Sequence, residues 1–168
     1  MVKDIAQFFE PFLRRLFPVE AARRTGDSVV LRWSPHPSCV GLARMELRKL
    51  LADWGLAELE DSALLVLSEL VTNAARHARV SHDWEIETRY RPGPGAVRIE
   101  VHDASPSRPQ VRDADPDSLD GRGLILVAAL ADEWGVGERD DGAAGKVVWA
   151  RLSLPAATDT DGTNRGAH

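Results

Sequence analysis

Two stripes run along residues 58–77, and a chain that carries both has few ways to fold. Ala63, Val66, Leu67, Leu70, Val71 and Ala74 recur at helical spacing and make one apolar side. Glu69, Asn73 and His77 stand four residues apart. A step of four advances only about 40° around a helix axis, so an acid, an amide and an imidazole climb one polar side together. The pattern predicts a helix from about Glu58 to His77, with its apolar side against a core and its polar side on a cleft or on water.

The surrounding segments predict what that core is. Residues 3–17 carry Ile5, Phe8, Phe9, Phe12, Leu13 and Leu16 at helical spacing, with Pro11 as a kink and Pro18 as a stop. Packing on the domain, docking to a partner or second subunit, and lying on a membrane are all open to this amphipathic helix. Ser28 to Trp33 reads as a strand. Ser38 is placed to cap a helix bearing Ala43, Leu47, Leu50, Leu51 and Trp54, with Gly55 as its stop. Trp84 to Tyr90 and Ala96 to His102 read as strands joined by a Pro92-Gly-Pro-Gly95 hairpin turn. Residues 103–120, rich in Asp, Pro and Ser, read as a loop. Gly121 to Asp132 reads as a glycine-primed helix, and Trp134 to Val136 and Lys146 to Leu154 as two closing strands. This order predicts an α+β fold, with helices on one face of a mixed, mostly antiparallel sheet.

Composition narrows the function. The chain of 168 residues is 43% hydrophobic and 28% charged, enough for one domain with a real core. A net charge of -5 offers no electrostatic footprint for general nucleic-acid or anionic-membrane binding. Cys39 is the only cysteine, so internal disulfides and cysteine zinc clusters are excluded. Asp4 and Glu10 interrupt the first apolar residues, which argues against a signal peptide or membrane span and makes the cytoplasm the expected compartment.

Three separated signals carry chemistry. The first is the Glu69, Asn73, His77 stripe. The second is the strand Val97-Arg-Ile-Glu-Val-His-Asp103, which delivers a carboxylate at its end, able to accept a hydrogen bond from a ligand amine. The third is Gly121-Arg122-Gly123 opening a helix, where bare backbone and a helix N-terminus suit a phosphate.

In their order and spacing these segments resemble the GHKL superfamily of ATP-binding domains, which includes histidine kinases, type II topoisomerases and mismatch-repair ATPases. Ser68-Glu-Leu-Val-Thr-Asn-Ala-Ala-Arg-His-Ala78 is similar to the family's N box, Val101-His-Asp103-Ala-Ser-Pro106 to its G1 box and Gly121-Arg-Gly-Leu124 to its G2 box. Among the branches, the chain looks most like the small RsbW-like anti-sigma-factor serine/threonine kinases, over about Val29 to Leu154.

The resemblance implies a two-layer, Bergerat-type ATP-binding domain over residues 28–155, preceded by a helix and linker over 1–27 and followed by a disordered tail over 156–168. It implies that Asn73 holds Mg²⁺, that Glu69 orients or deprotonates an attacking hydroxyl, and that Asp103 binds the adenine amino group. Gly121 and Gly123 would approach the phosphates, with Arg122 and Arg76 as candidates for phosphate charge and residues 104–120 as a lid. The implied activity is ATP-dependent phosphorylation of an anti-sigma-factor antagonist, with a sigma factor as a further partner and homodimerisation as a family habit. The rival is a nucleotide-binding module that acts by sequestration. Two departures stand out. Ser105 and Ser107 replace expected glycines beside Pro106, implying a stiffer lid. The run Gly145-Lys-Val-Val-Trp149 lacks a threonine that helps hold the adenine-binding aspartate, implying modest ATP affinity.

Overall fold

A computed structural model of the chain describes residues 20–25, 27–77, 85–104, 122–140 and 142–155, with side chains omitted at 20–25, 77 and 122. The elements are β1 (Glu20–Thr25), β2 (Ser28–Trp33), α1 (Cys39–Asp53), a short 3-10 turn (Ala57–Leu59), α2 (Glu60–His77), β3 (Ile86–Gly93), β4 (Ala96–Asp103), α3 (Arg122–Leu130), β5 (Glu133–Glu138) and β6 (Lys146–Ser153). The strands form one six-stranded sheet in the order β1-β2-β3-β4-β6-β5. Every described pair is antiparallel, so the sheet is more uniform than the mixed one expected. β1 lies inside the stretch read as linker. The predicted helix over 3–17, the lid beyond Ala104 and the tail lie outside the described residues.

Alternation decides which face of the sheet meets the helices. Val29, Leu31 and Trp33 of β2, Ile86 and Tyr90 of β3, Val97, Ile99 and Val101 of β4, and Val148, Ala150 and Leu152 of β6 share one side and one core. Against them lie Ala43, Leu47, Leu50 and Leu51 of α1 and the predicted apolar stripe of α2. Each fully buried Leu, Ile or Val stabilises the fold by about 1.5–3 kcal/mol relative to exposure. Trp33 also enters this layer, its indole Nε1 donating to Thr88 Oγ1 at 2.9 Å.

The ends of α1 show one prediction met and one altered. Gly55 adopts φ +70, its N–H bonds Ala52 O at 3.2 Å, and Leu56 N–H bonds Leu51 O at 2.8 Å, a Schellman termination that needs a residue tolerant of the left-handed region. At the other end Ser38 occupies the N-cap position but makes no side-chain bond to the helix. Its hydroxyl pairs instead with His36 Nδ1 at 2.8 Å. The 3-10 turn Ala57–Leu59 runs straight into α2, which starts at Glu60, two residues later than its sequence pattern suggests. Arg44 Nη1 ties α1 to α2 by donating to Ser68 Oγ at 2.9 Å, and that hydroxyl donates to Leu64 O at 2.6 Å. Cys39 lies buried at the start of α1, and burial pushes its thiol up to about 11.

The opposite face of the sheet is charged and largely self-covered. Glu87 accepts from Arg32 Nε at 3.2 Å and from Arg89 Nε at 2.7 Å. Glu100 accepts from Arg98 Nε at 2.8 Å, pairs with Arg91 Nη2 at 3.7 Å and lies 3.3 Å from His102 Nε2. Burial alone would raise the Glu100 carboxyl, but the hydrogen bonds of His102 and Arg98, with the charges of Arg91 and Arg98, outweigh it and hold the group at about 2. The Arg98 guanidinium stacks 3.8 Å over the Trp149 ring. Trp149 in turn covers Gly135 on β5, where a Cβ would lie only 3.0 Å from indole atoms.

Candidate functional site

α2 lies in the helix layer, packing on β3, β4 and β6 and against both α1 and α3. Its polar stripe faces the start of α3. Glu69 and Asn73 are half-buried there. Gly123, in the first turn of α3, lies directly against both. A Cβ at Gly123 would stand 2.5 Å from Glu69 Oε2 and 3.4 Å from Asn73 Nδ2. The glycine thus leaves room for the Glu69 carboxylate and the Asn73 amide to lie against the start of α3 without an intervening side chain.

The first turn of a helix has N–H groups with no partner inside the helix, and the helix dipole favours negative charge beside them. Acid, amide and helix N-terminus together form a place where hard oxygen ligands and backbone donors converge. The donor set fits a hard divalent cation bridging to phosphate, which prefers oxygen ligands. Arg76, one turn beyond Asn73, is exposed. Arg122 is the first residue of α3, while Gly121 and the side chains of His77 and Arg122 lie outside the described residues.

The second half of the site is built by the sheet. Asp103 is the last residue of β4 and follows Val97, Ile99 and Val101 onto the helix side. It is buried, and register places it opposite Lys146, the first residue of β6. Lys146 Nζ lies 3.5 Å from Asp103 Oδ2, with side-chain exposures of 6% and 4%. Just before it, Gly145 has φ +127, and a Cβ there would run into the Asp103 carbonyl oxygen and the Ala104 Cα. Only a residue without a side chain lets the start of β6 close on the end of β4 this tightly.

Lys146 is the site residue that the motif reading missed. In the sequence it registered only as the absence of a threonine. Its role depends on β4 and β6 being neighbours in a register that pairs a strand end with a strand start, and no local pattern encodes that. The available signal was Gly145 followed by Lys146 after a turn, a glycine pressed for space next to a charge.

Among the described residues, six antiparallel strands under three helices make an α+β sandwich, with an acid–amide helix face and a strand-end aspartate on the helix side. The sequence model of the histidine kinase-like ATPase domain matches residues 34–152, and the chain belongs to that family. Membership supports ATP binding and a role of the kinase or ATPase type. Among solved structures, the chain is similar to the histidine kinase domain of the blue-light activated histidine kinase from Erythrobacter litoralis EL346, with 20% identity and a TM-score of 0.46 over 82% of this chain and 67% of that one. No curated protein matches the chain. Among the described residues, no helix is long and apolar enough to cross a membrane.

Proposed function

We propose that the protein is a Mg²⁺-ATP-dependent serine/threonine kinase of the anti-sigma-factor type, acting on an anti-sigma-factor antagonist. The observation that carries this reading is the presentation of Glu69 and Asn73 together against the bare backbone of Gly123. A pure nucleotide-binding role needs the amide for the metal but has no use for a carboxylate one turn away.

In this reading Asn73 would hold Mg²⁺ through its amide oxygen, and the ion when bound would supply charge neutralisation for the phosphates. Glu69 accepts the proton of the attacking serine hydroxyl as the new O–P bond forms and the bond from the γ-phosphorus to the ADP oxygen breaks. The N–H groups at the start of α3 stabilise the transferring phosphoryl group. Asp103 accepts a hydrogen bond from the adenine 6-amino group. Arg76 and Arg122 are candidates for phosphate charge.

The test is transfer of labelled phosphate from ATP to candidate antagonist proteins. Glu69→Ala should lower transfer by at least about 10²-fold while leaving ATP affinity close to wild type. Equal transfer by the variant would sink the kinase reading.

One observation supports a second reading, in which nucleotide is a structural ligand and the protein works by sequestering a sigma factor or other regulator. The carboxylate assigned to adenine is already engaged by a buried lysine. In that case partner binding should follow ATP occupancy and no phosphoprotein should form.

A further inference from the structure

The Asp103–Lys146 pair has a chemistry that neither residue has alone. The register match of β4 with β6 sets the two side chains abreast, above the Val101–Val148 pair. The tight approach of Gly145 to the Asp103 backbone fixes their relative height. Their separation of 3.5 Å makes an ion pair that is longer than the 2.7–2.9 Å usual for a charged N–H···O bond. Carboxylate oxygens only accept, and a lysine ammonium only donates. The end of the sheet therefore presents an acceptor next to a donor.

We infer that Lys146 is a base-selecting residue of the nucleotide site, donating to purine N1 while Asp103 accepts from the 6-amino group. This rests on the reading above, in which Asp103 meets adenine. Adenine offers a donor at its 6-amino group and an acceptor at N1, the complement of the pair. Guanine in the same pose would turn its O6 to the carboxylate and its N1–H to the ammonium. Both contacts would be repulsive, and buried polar groups left unpaired discriminate strongly. A threonine hydroxyl at this position could both donate and accept; lysine has one sense only, so its presence sharpens the choice of base.

The test uses the full chain with Mg²⁺ and calorimetric titration of ATP, 1-deaza-ATP, in which N1 is replaced by C–H, and GTP. For the wild type, 1-deaza-ATP should bind at least about tenfold more weakly than ATP, and GTP more weakly still. In Lys146→Met the difference between ATP and 1-deaza-ATP should vanish, and Lys146→Arg should restore part of it. Equal binding of ATP and 1-deaza-ATP by the wild type overturns the inference while leaving the kinase reading intact. A wild type that binds no ATP overturns both. If Lys146→Met does not fold, the ligand-side comparison on the wild type decides alone.

Discussion

Gly123 lies so close to Glu69 that one added methyl group would stand 2.5 Å from the carboxylate Oε2. The group in the way is the tip of a side chain, so Glu69 would swing aside before the helices parted. Gly123→Ala should therefore fold normally, helped by the roughly 1 kcal/mol helix preference of alanine. Phosphotransfer should fall about 10²-fold, because small misplacements of a reacting group carry that order of loss. Rate and melting temperature measured together check this; an unchanged rate would show that the position of Glu69 is immaterial.

Replacing one member of the Asp103–Lys146 pair should cost more than replacing both. Asp103→Asn leaves a buried ammonium without its carboxylate, a loss of about 3–5 kcal/mol by analogy with other broken buried pairs. The double change Asp103→Asn with Lys146→Met should recover most of that stability yet still bind ATP poorly. Urea unfolding of the four proteins gives the coupling energy directly.

Gly145→Ala should be among the most damaging single changes. Its φ of +127 disfavours any side chain, and the obstruction is backbone, which has nowhere to move. A loss of about 3 kcal/mol, or roughly 10 °C in Tm, is expected. A normal Tm would mean that the β4–β6 closure is looser than described.

Acid should unfold the protein partly through Glu100. Its carboxyl is held at about 2 in the folded chain, below its ordinary value of 4.5. A depressed carboxylate stabilises the fold above its unfolded value, and that stability drains away as pH falls from 4.5 towards 2. Glu100→Gln should be less stable at neutral pH and show a flatter loss across that window. Denaturant unfolding at pH 7, 4.5 and 3 would reveal a parallel loss in both proteins if Glu100 had no part in it.

Cys39 should resist alkylation. A buried thiol pushed up to about 11 has almost no thiolate at pH 7.5. Iodoacetamide should label it only at the rate of opening or unfolding, and fast labelling of the native protein would contradict its burial.

Much of this molecule is written locally. The α1 face of Ala43, Leu47, Leu50 and Leu51 and the left-handed stop at Gly55 follow from short-range pattern and lie where the pattern puts them, while the predicted Pro92–Gly95 turn narrows to Pro94-Gly95 because Pro92 and Gly93 pair within β3. The stripe that brings Glu69 and Asn73 to one side of α2 is local in the same way. What the pattern did not yield depends on partners distant in the chain. Glu20–Thr25 lacks the alternation of a strand and is one only because β2 pairs with it. Glu100 and His102 look like the wet side of a half-buried strand, yet both are buried, because arginines from β3 and β4 and the Trp149 ring of β6 meet over them. Lys146 acquires a role only through the strand opposite it.

β4 is enclosed on both sides, with hydrocarbon on one and paired ions on the other. A slip of a single residue would push Glu100 into the place of Ile99 and hand Asp103's place to Ala104. The arginines that grip Glu100 thus serve as a gauge that sets the height of Asp103 at the end of β4. Ion pairs on one face of the sheet thereby hold the place of a carboxylate on the other.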